Sequence, residues 1–308
     1  MNLPRFFSST CLFLFVFFEV IGFSVTGFAQ SEVRPPIVGI AQVGLKTDNM
    51  TAARQFYSGL LGFSVISLED GGSRFADFKV NDHQTIALFH ELKNSKQDRL
   101  SYIAFETTDA DGLRRYLLGK GLQVPAKVSR RVDGDVGFAV IDPNGHRVEF
   151  IQYVAGSFAT SQAGKFLPES RISQRIIHAG FTVQDRAAED HFYKDILGFK
   201  EFWHGGMKDD QTDWVDLRVP DGTDWLEYML NVRDPDPRVL GIMHHLALGV
   251  PDVSTANQEL IKRGFKGEAP KIGRDGKWQL NLYDPNLTRV ELMEPKPVRK
   301  PCCSPMGK

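Results

Sequence analysis

The chain has 308 residues, with 37 Lys and Arg against 38 Asp and Glu and an apolar fraction of 42%. That length exceeds one small domain and fits a targeting segment followed by two domains. A formal charge of -1 with no basic stripe argues against nucleic acid or an anionic membrane surface as a partner.

At the N-terminus, Arg5 precedes the apolar run from Cys11 to Phe18, and Gly27-Phe-Ala29 has small residues at the spacing of a cleavage site. Residues 1–30 are therefore read as a secretory signal peptide cut near Ala29 or Gln30, which makes the mature protein secreted or periplasmic. The run is too short to span a bilayer, so no membrane contact is expected after cleavage.

Helical periodicity follows over Met50–Leu61, with Asp48 and Asn49 as capping candidates and Gly62 closing the turn. The design recurs over 185–197, closed by Gly198, and in weaker copies over 109–121 and 252–264. Each helix is preceded by one alternating strand and followed by about three, separated by turns such as Asp133-Gly134, Asp221-Gly222 and Asp275-Gly276. The expected organisation is α+β: four βαβββ modules, paired into a first domain over 37–154 and a second over 175–297. A polar linker over 155–174 separates them. Residues 298–308, rich in Pro, Lys and Gly, are read as a flexible tail holding Cys302 and Cys303, while Cys11 leaves with the signal peptide. No disulfide framework runs through the globular part, so stability has to come from apolar cores.

Four strands carry a polar group in an apolar setting. The stretch Gly241–Val250, read as a buried strand, puts Met243, His245 and Ala247 on one face and the adjacent His244 on the other. His178 stands early in the apolar strand 175–183, Glu227 lies between Leu226 and Tyr228, and Glu291 lies in Thr288–Met293. A lone strand histidine is usually a hydrogen-bonded structural residue. A buried, unpaired carboxylate is costly, however, and Glu227 needs a partner such as a cation. His178, Glu227, His245 and Glu291 are read as converging on one divalent metal. His244 is read as structural, His191 as a surface residue, and His204 as having a weaker claim to reach a cleft. Trp203, Trp214, Trp225 and Trp278 are assigned to packing by default.

The pairs Phe56-Tyr57…Leu61-Gly62-Phe63 and Phe192-Tyr193…Leu197-Gly198-Phe199, with the closing strands Asp142–Phe150 and Asp284–Leu292, resemble the vicinal oxygen chelate superfamily. That superfamily includes glyoxalase I, methylmalonyl-CoA epimerase, antibiotic-resistance proteins and extradiol dioxygenases. The resemblance covers residues 37 to 297 and is specific for fold, much less so for reaction. It implies metal ligands at His178, Glu227, His245 and Glu291 in the second half, and equivalent places at Gln42, Leu88, Tyr102 and Glu149 in the first. Leu88 cannot ligate, so the resemblance implies one live site, in the second domain, and an inert first domain. Glu149 is expected to pair with Arg147 or Arg131, or to face solvent.

Two imidazoles and two carboxylates suit a divalent Zn, Ni, Fe, Mn or Co ion with open positions for two substrate oxygens. The resemblance to glyoxalase-like members implies lyase or isomerase chemistry on a small molecule with adjacent oxygens, with Glu291 or Glu227 as catalytic base. The exported location argues against a glutathione-dependent reaction. An extradiol dioxygenase using Fe(II) on His178, His245 and Glu291 is the alternative, although its catalytic tyrosine position is occupied by Asn281, with Tyr283 nearby. A resistance-type small-molecule binding protein is a third reading. The resemblance also leaves a homodimer open beside a cleft completed within one chain.

Overall fold

The computed structural model of the chain describes residues 33–69, 74–231, 240–305, together with Met1, Asp236 and Gly307. The segment read as a signal peptide lies outside the described residues apart from Met1. Among the described residues no helix is long and apolar enough to cross a membrane.

The first half supplies β1 (Ile37–Lys46), α1 (Met50–Arg54), β2 (Ser64–Glu69), β3 (Phe75–Lys79), β4 (Thr85–Phe89), β5 (Leu100–Thr107), α2 (Ala110–Gly119), β6 (Ser129–Arg130), β7 (Val136–Ile141) and β8 (Arg147–Gln152). A short α3 (Phe158–Ser161) lies between the halves. The second half repeats the order: β9 (Ile176–Thr182), α4 (Arg186–Asp190), β10 (Lys200–Gly205), β11 (Trp214–Arg218), β12 (Trp225–Met229), α5 (Leu240–Met243), β13 (His245–Gly249), α6 (Val253–Lys262), β14 (Lys271–Ile272), β15 (Trp278–Tyr283) and β16 (Arg289–Met293). These strands form two eight-stranded sheets of identical topology, β2-β3-β4-β1-β5-β8-β7-β6 and β10-β11-β12-β9-β13-β16-β15-β14. The four βαβββ modules in two tandem domains are thus the observed architecture.

Local chemistry explains the elements. Asn49, Asp109, Asp185 and Asp252 each accept a backbone N–H three residues on, the N-cap that starts α1, α2, α4 and α6. Each such cap contributes about 1 kcal/mol. The expected helix over 50–61 widens after Arg54 into a π turn over Gln55–Leu60, and His191–Ile196 does the same after α4. The Leu61 N–H donates to the Phe56 carbonyl, and Leu197 to Phe192, each at 3.0 Å. The extra residue in the turn lets both rings of Phe56-Tyr57 and of Phe192-Tyr193 enter the core. Gly62 and Gly198 end these turns at φ +80° and +82°, a conformation that glycine adopts without a Cβ penalty.

One apolar core runs between the two sheets, and Phe105 of the first half meets Phe199 of the second at 5.3 Å between ring centroids. The other face of each sheet carries only a small apolar cluster: Ala41, Tyr102, Ala104 and Ile151 in one, Ile177, Trp225, Ala247 and Met293 in the other. Strand alternation therefore assigns one set of side chains to the shared core and the other to a separate concave face, where the polar residues gather.

The halves also exchange their closing turns. Asp284 accepts from the Tyr57 hydroxyl at 3.2 Å, and Asn286 accepts from the Thr47 hydroxyl at 2.5 Å. In mirror fashion Asp142 accepts from the Tyr193 hydroxyl at 3.3 Å, and Asn144 accepts from the Gln184 N–H at 2.8 Å. Glu189 of α4 accepts from both the backbone and the side-chain amide of Asn144. Burial, followed by the nearby Asp142 charge, pushes the Glu189 carboxyl up to about 7.

Two expectations need correction, and the linker is placed more firmly than its sequence required. Gly241–Met243 form a helical turn, and the strand begins only at His245, because the His244 N–H donates back to the Leu240 carbonyl. The segment read as a flexible tail is docked: Val298 donates to the Gly276 carbonyl, Cys302 to Arg274 and Gly307 to Phe202, and Cys302 is disulfide-bonded to Cys303. The polar linker is likewise held, with Lys79 donating to the Gln162 carbonyl and Ile172 to the Leu61 carbonyl.

Candidate metal centre

Strand register brings the second half's polar residues together. On β9, Gly180 lies opposite His245 and His178 opposite Ala247, while Ala247 lies beside Glu291 of the parallel β16. His178, His245 and Glu291 come from three adjacent strands, all facing away from the shared core. The Nε2 atoms of His178 and His245 are 3.0 Å apart, and Glu291 Oε2 is 3.6 Å from the first and 3.9 Å from the second. One ligand atom from each of the three lies within 4.8 Å of those of the other two. Ligands about 2.0–2.2 Å from one ion stand about 3 to 4 Å apart, so the set fits a single divalent metal.

Glu227 reaches the group from β12. Its Oε2 is 3.1 Å from His245 Nε2, at the edge of the three-residue set rather than within it. The structure thus places all four residues named from the sequence at one locus, with three in tight mutual range and the fourth beside His245.

The glycine opposite His245 is part of the design. A Cβ on Gly180 would stand 2.0 Å from the His245 ring, so only glycine leaves room for the imidazole to lie across β9. The ring is further fixed by the Met243 carbonyl, 2.8 Å from Nδ1. A metal-ligating histidine is commonly oriented this way through its second nitrogen.

Burial pushes His178 well below the usual imidazole range and His245 below it too, so both rings are held neutral, the form that ligates. Burial pushes Glu291 up to about 8, with the Glu227 charge adding to the rise and Arg289 opposing it. Burial also works against the Glu227 carboxylate, yet its contact with His245 and the Arg289 guanidinium hold it low.

The site opens into a cavity of about 320 Å³. Trp203, Trp214 and Trp225 line it, which the default assignment to packing missed; Trp278 packs against the core as expected. Asp216, across from Glu227 on β11, is buried with Oδ1 unpartnered among the described residues, and Asn281 stands across from Glu291. Arg289 Nη2 lies 2.8 Å from His245 Nε2. Alternation back from Glu291 would have found Arg289, since residues two apart share a face. Tyr283 is exposed and does not line the cavity. His244 turns to the opposite side, contacting Thr182 and Asp98, and His191 is exposed beside Asp195. His204 pairs with Glu201 outside the cavity lining. A larger opening of about 520 Å³ lies where the halves meet, but its Asp224 is already engaged by Arg175, Gln84 and the Ile40 N–H.

The first half solves the same geometry differently. Register confirms Gln42, Tyr102 and Glu149 as the counterparts of His178, His245 and Glu291. The counterpart of Glu227, however, is Ala87 and not Leu88: Gly44 pairs with Ala87 as Gly180 pairs with Glu227. Pairing of whole sequence stretches had slipped by one residue there, which in a strand reverses the face. Arg131 fills the centre, donating to Glu149 Oε2 at 2.8 Å and to Gln42 Oε1 at 3.2 Å, and Tyr102 donates to Gln42 Oε1 at 2.6 Å. Arg147 takes the other Glu149 oxygen at 2.8 Å. A guanidinium stands where the second half has its cluster of ligands.

Comparison with known proteins agrees with this fold. Among curated proteins none gives a significant sequence match. The chain is similar in structure to the Mn(II)-bound glyoxalase from Novosphingobium aromaticivorans, with 20% identity, TM-score 0.66, and 84% of this chain and 83% of that one covered. It is similar too to the 2,3-dioxygenase LapB from Pseudomonas sp. KL28, with 15% identity, TM-score 0.65 and coverage of 87% and 97%. A catechol 2,3-dioxygenase gives 18% identity, TM-score 0.65 and coverage of 89% and 92%. At such identities these likenesses show the fold alone. The family model Glyoxalase/Bleomycin resistance protein/Dioxygenase superfamily matches residues 39–150 and 175–292, and the chain belongs to that superfamily.

Proposed function

We propose that the protein is a metal-dependent enzyme of the glyoxalase or epimerase type, with lyase or isomerase chemistry on a small substrate that presents two adjacent oxygens. The observation that carries this reading is Glu227: a carboxylate on the cavity wall, 3.1 Å from His245 and held in its ionised form, beside a set of donors that fits one metal. His178, His245 and Glu291 would hold a divalent ion, with Glu227 as an additional ligand that can release. Such an ion supplies Lewis-acid stabilisation of negative charge developing on a substrate oxygen.

Glu227 then serves as the base that moves a proton at the carbon next to the carbonyl, and Arg289, 3.8 Å from its Oε2, keeps it ionised between turnovers. Glu291, more deeply buried, acts as ligand only. The three tryptophans exclude water and hold the organic part of the substrate, and the cavity volume suits a compact molecule. The exported location read from the N-terminus favours a substrate other than a glutathione adduct.

The second reading, an extradiol dioxygenase using Fe(II), is favoured by one observation: the tight set is two histidines and one carboxylate, with Glu227 outside it. Among the described residues that line the cavity there is no tyrosine to serve that chemistry.

The test is exchange of solvent deuterium into the α-carbon of 2-hydroxy and 2-oxo acyl compounds by metal-loaded protein. Wild type is expected to catalyse exchange, and Glu227→Gln to lose at least about a hundredfold while keeping its metal, the usual contribution of a positioned base. His245→Ala should lose one equivalent of metal and Glu149→Ala none. Dioxygen consumption with catechols under Fe(II) overturns the reading in favour of the dioxygenase. Tight binding with neither activity overturns it in favour of a binding protein.

A further inference from the structure

A second cluster of ligand-type side chains lies outside the cavity, in the exchanged turn of the first half, where the His146 ring packs against His244 and Phe181. Asp142 and His146 come from the β7–β8 turn and Glu189 from α4 of the other half, and one ligand atom of each lies within 4.8 Å of those of the other two. His146 Nδ1 is 2.9 Å from Asp142 Oδ2, a separation that two neighbouring ligands on one ion also show. Asp142 Oδ2 is shared with the Tyr193 hydroxyl, and Asp142 Oδ1 accepts the His146 N–H at 2.7 Å.

Glu189 is the unexplained member. It is fully buried in a helix, where a carboxylate is expensive without compensation. Its Oε1 takes both donors of Asn144, while its Oε2 has no partner among the described residues. Two buried carboxylates and one imidazole are thus gathered within 4.8 Å, and only Asp142 is hydrogen-bonded to the ring.

The duplicated fold supplies its own control. The counterpart of the turn in the second half is Asp284, Asn286 and Thr288, docked on α1, where the residue at the Glu189 position is the buried Ala53. The turn, its aspartate, its asparagine and the tyrosine contact are common to both halves, so docking alone requires neither the glutamate nor the histidine. Both ligand-type replacements occur on the same side and face one another.

We propose that Asp142, His146 and Glu189 form a second cation site, which takes a small divalent transition ion such as zinc and ties the closing turn of the first half to the helix of the second. One nitrogen and two carboxylate oxygens are an ordinary donor set for that class. The site is independent of the reaction proposed above, because none of its residues lines the cavity.

The probe is Zn²⁺ alone, added to the full chain carrying His178→Ala and His245→Ala to empty the first site, and Cys302→Ser and Cys303→Ser so that reduction of the disulfide cannot supply thiolate ligands. Expected are one equivalent of bound zinc and a rise of melting temperature on adding it. Adding Glu189→Gln, which keeps the acceptor for Asn144 but removes the charge, should abolish both. His146→Thr, the residue found in the other half, should do the same. No zinc in the background chain, or zinc retained after both substitutions, overturns the proposal. Should that background fail to fold, wild type is compared with Glu189→Gln: a fall from two equivalents to one supports the site, and unchanged stoichiometry overturns it.

Discussion

Gly180→Ala tests whether the metal centre depends on a glycine that touches no metal. The added Cβ would stand 2.0, 2.4 and 2.8 Å from the Cε1, Nδ1 and Nε2 atoms of His245, against an ordinary contact of 3.4–4 Å. The ring must therefore retreat by more than an ångström, whereas ligand distances tolerate only about 0.2 Å. Displacing a positioned ligand by this much should cost at least the 10- to 100-fold in metal affinity that loss of a ligand's supporting contacts costs. That corresponds to about 1.4–2.8 kcal/mol. Gly44→Ala is the matched control, because its Cβ would stand 2.5 Å from the Tyr102 ring in the half that Arg131 fills. Isothermal titration with Zn²⁺ or Mn²⁺ and thermal melts read the two variants side by side. Gly180→Ala should lose metal affinity and Gly44→Ala should not, with both melting cooperatively. Wild-type affinity in Gly180→Ala would refute the claim that this glycine sets the place of His245.

Metal uptake should also release a proton. With Glu291 raised to about 8 by burial, it is protonated in the metal-free site at pH 7, while His178 and His245 are already neutral and release none. Binding an ion requires the carboxylate, so affinity should rise with pH and level off above about 8. Titrations at pH 7 in buffers of different ionisation enthalpy should show close to one proton released, and no release would remove the basis for this titration. Arg131→Ala should destabilise the first half, since it leaves Glu149 with Arg147 alone and Gln42 without one of its donors. Partial exposure of the pair discounts the cost to about 1–3 kcal/mol, readable as a lower denaturation midpoint with second-site metal affinity unchanged.

Sequence patterns made the architecture legible because the fold is written twice. Capping residues, the Phe-Tyr pair and the Leu-Gly-Phe closure recur at a constant offset, and each has a local cause that does not depend on tertiary context. The site was legible for a related reason: a histidine or glutamate in an apolar strand is costly, and that cost marks it. Arg289, Asp216 and the tryptophan wall were not marked in this way. Aromatic and charged residues at the end of a strand are ordinary, and only the curvature of the sheet decides whether they line a cavity. The Leu88 assignment failed by one residue because apolar β4 gives no cue to its register, whereas Gly44 opposite Ala87 sets it in space. The docked tail lay beyond sequence reasoning altogether, since its partners are carbonyls of distant turns.

The two halves place different groups at the centre of the concave face, and beside the ligand positions one further exchange stands out. Arg131 and Gly273 are equivalent: each follows directly on the short strand, β6 or β14, that pairs with β7 or β15, and its carbonyl accepts from the glycine of its Asp-Gly turn, Gly134 or Gly276. In the first half the arginine brings its own positive charge to Glu149 and Gln42, closing the site with a tethered cation. In the second half Gly273 brings no charge, the Gln279 amide packs against it where the first half has Gly137, and Arg289 is the guanidinium beside Glu227, so that on the proposed function an ion from solution completes the site. Gly273→Arg combined with Gln279→Gly, which clears the space as Gly137 does in the first half, should therefore move the second half toward the behaviour of the first. Its guanidinium would reach Glu291 as Arg131 reaches Glu149, and it competes with a metal without needing to be concentrated from solvent. The expected result is loss of bound divalent metal from this centre and of all turnover, with the melting temperature of the metal-free chain held or raised. Metal binding at wild-type affinity in the double variant would refute the claim that a tethered guanidinium at this place excludes an ion.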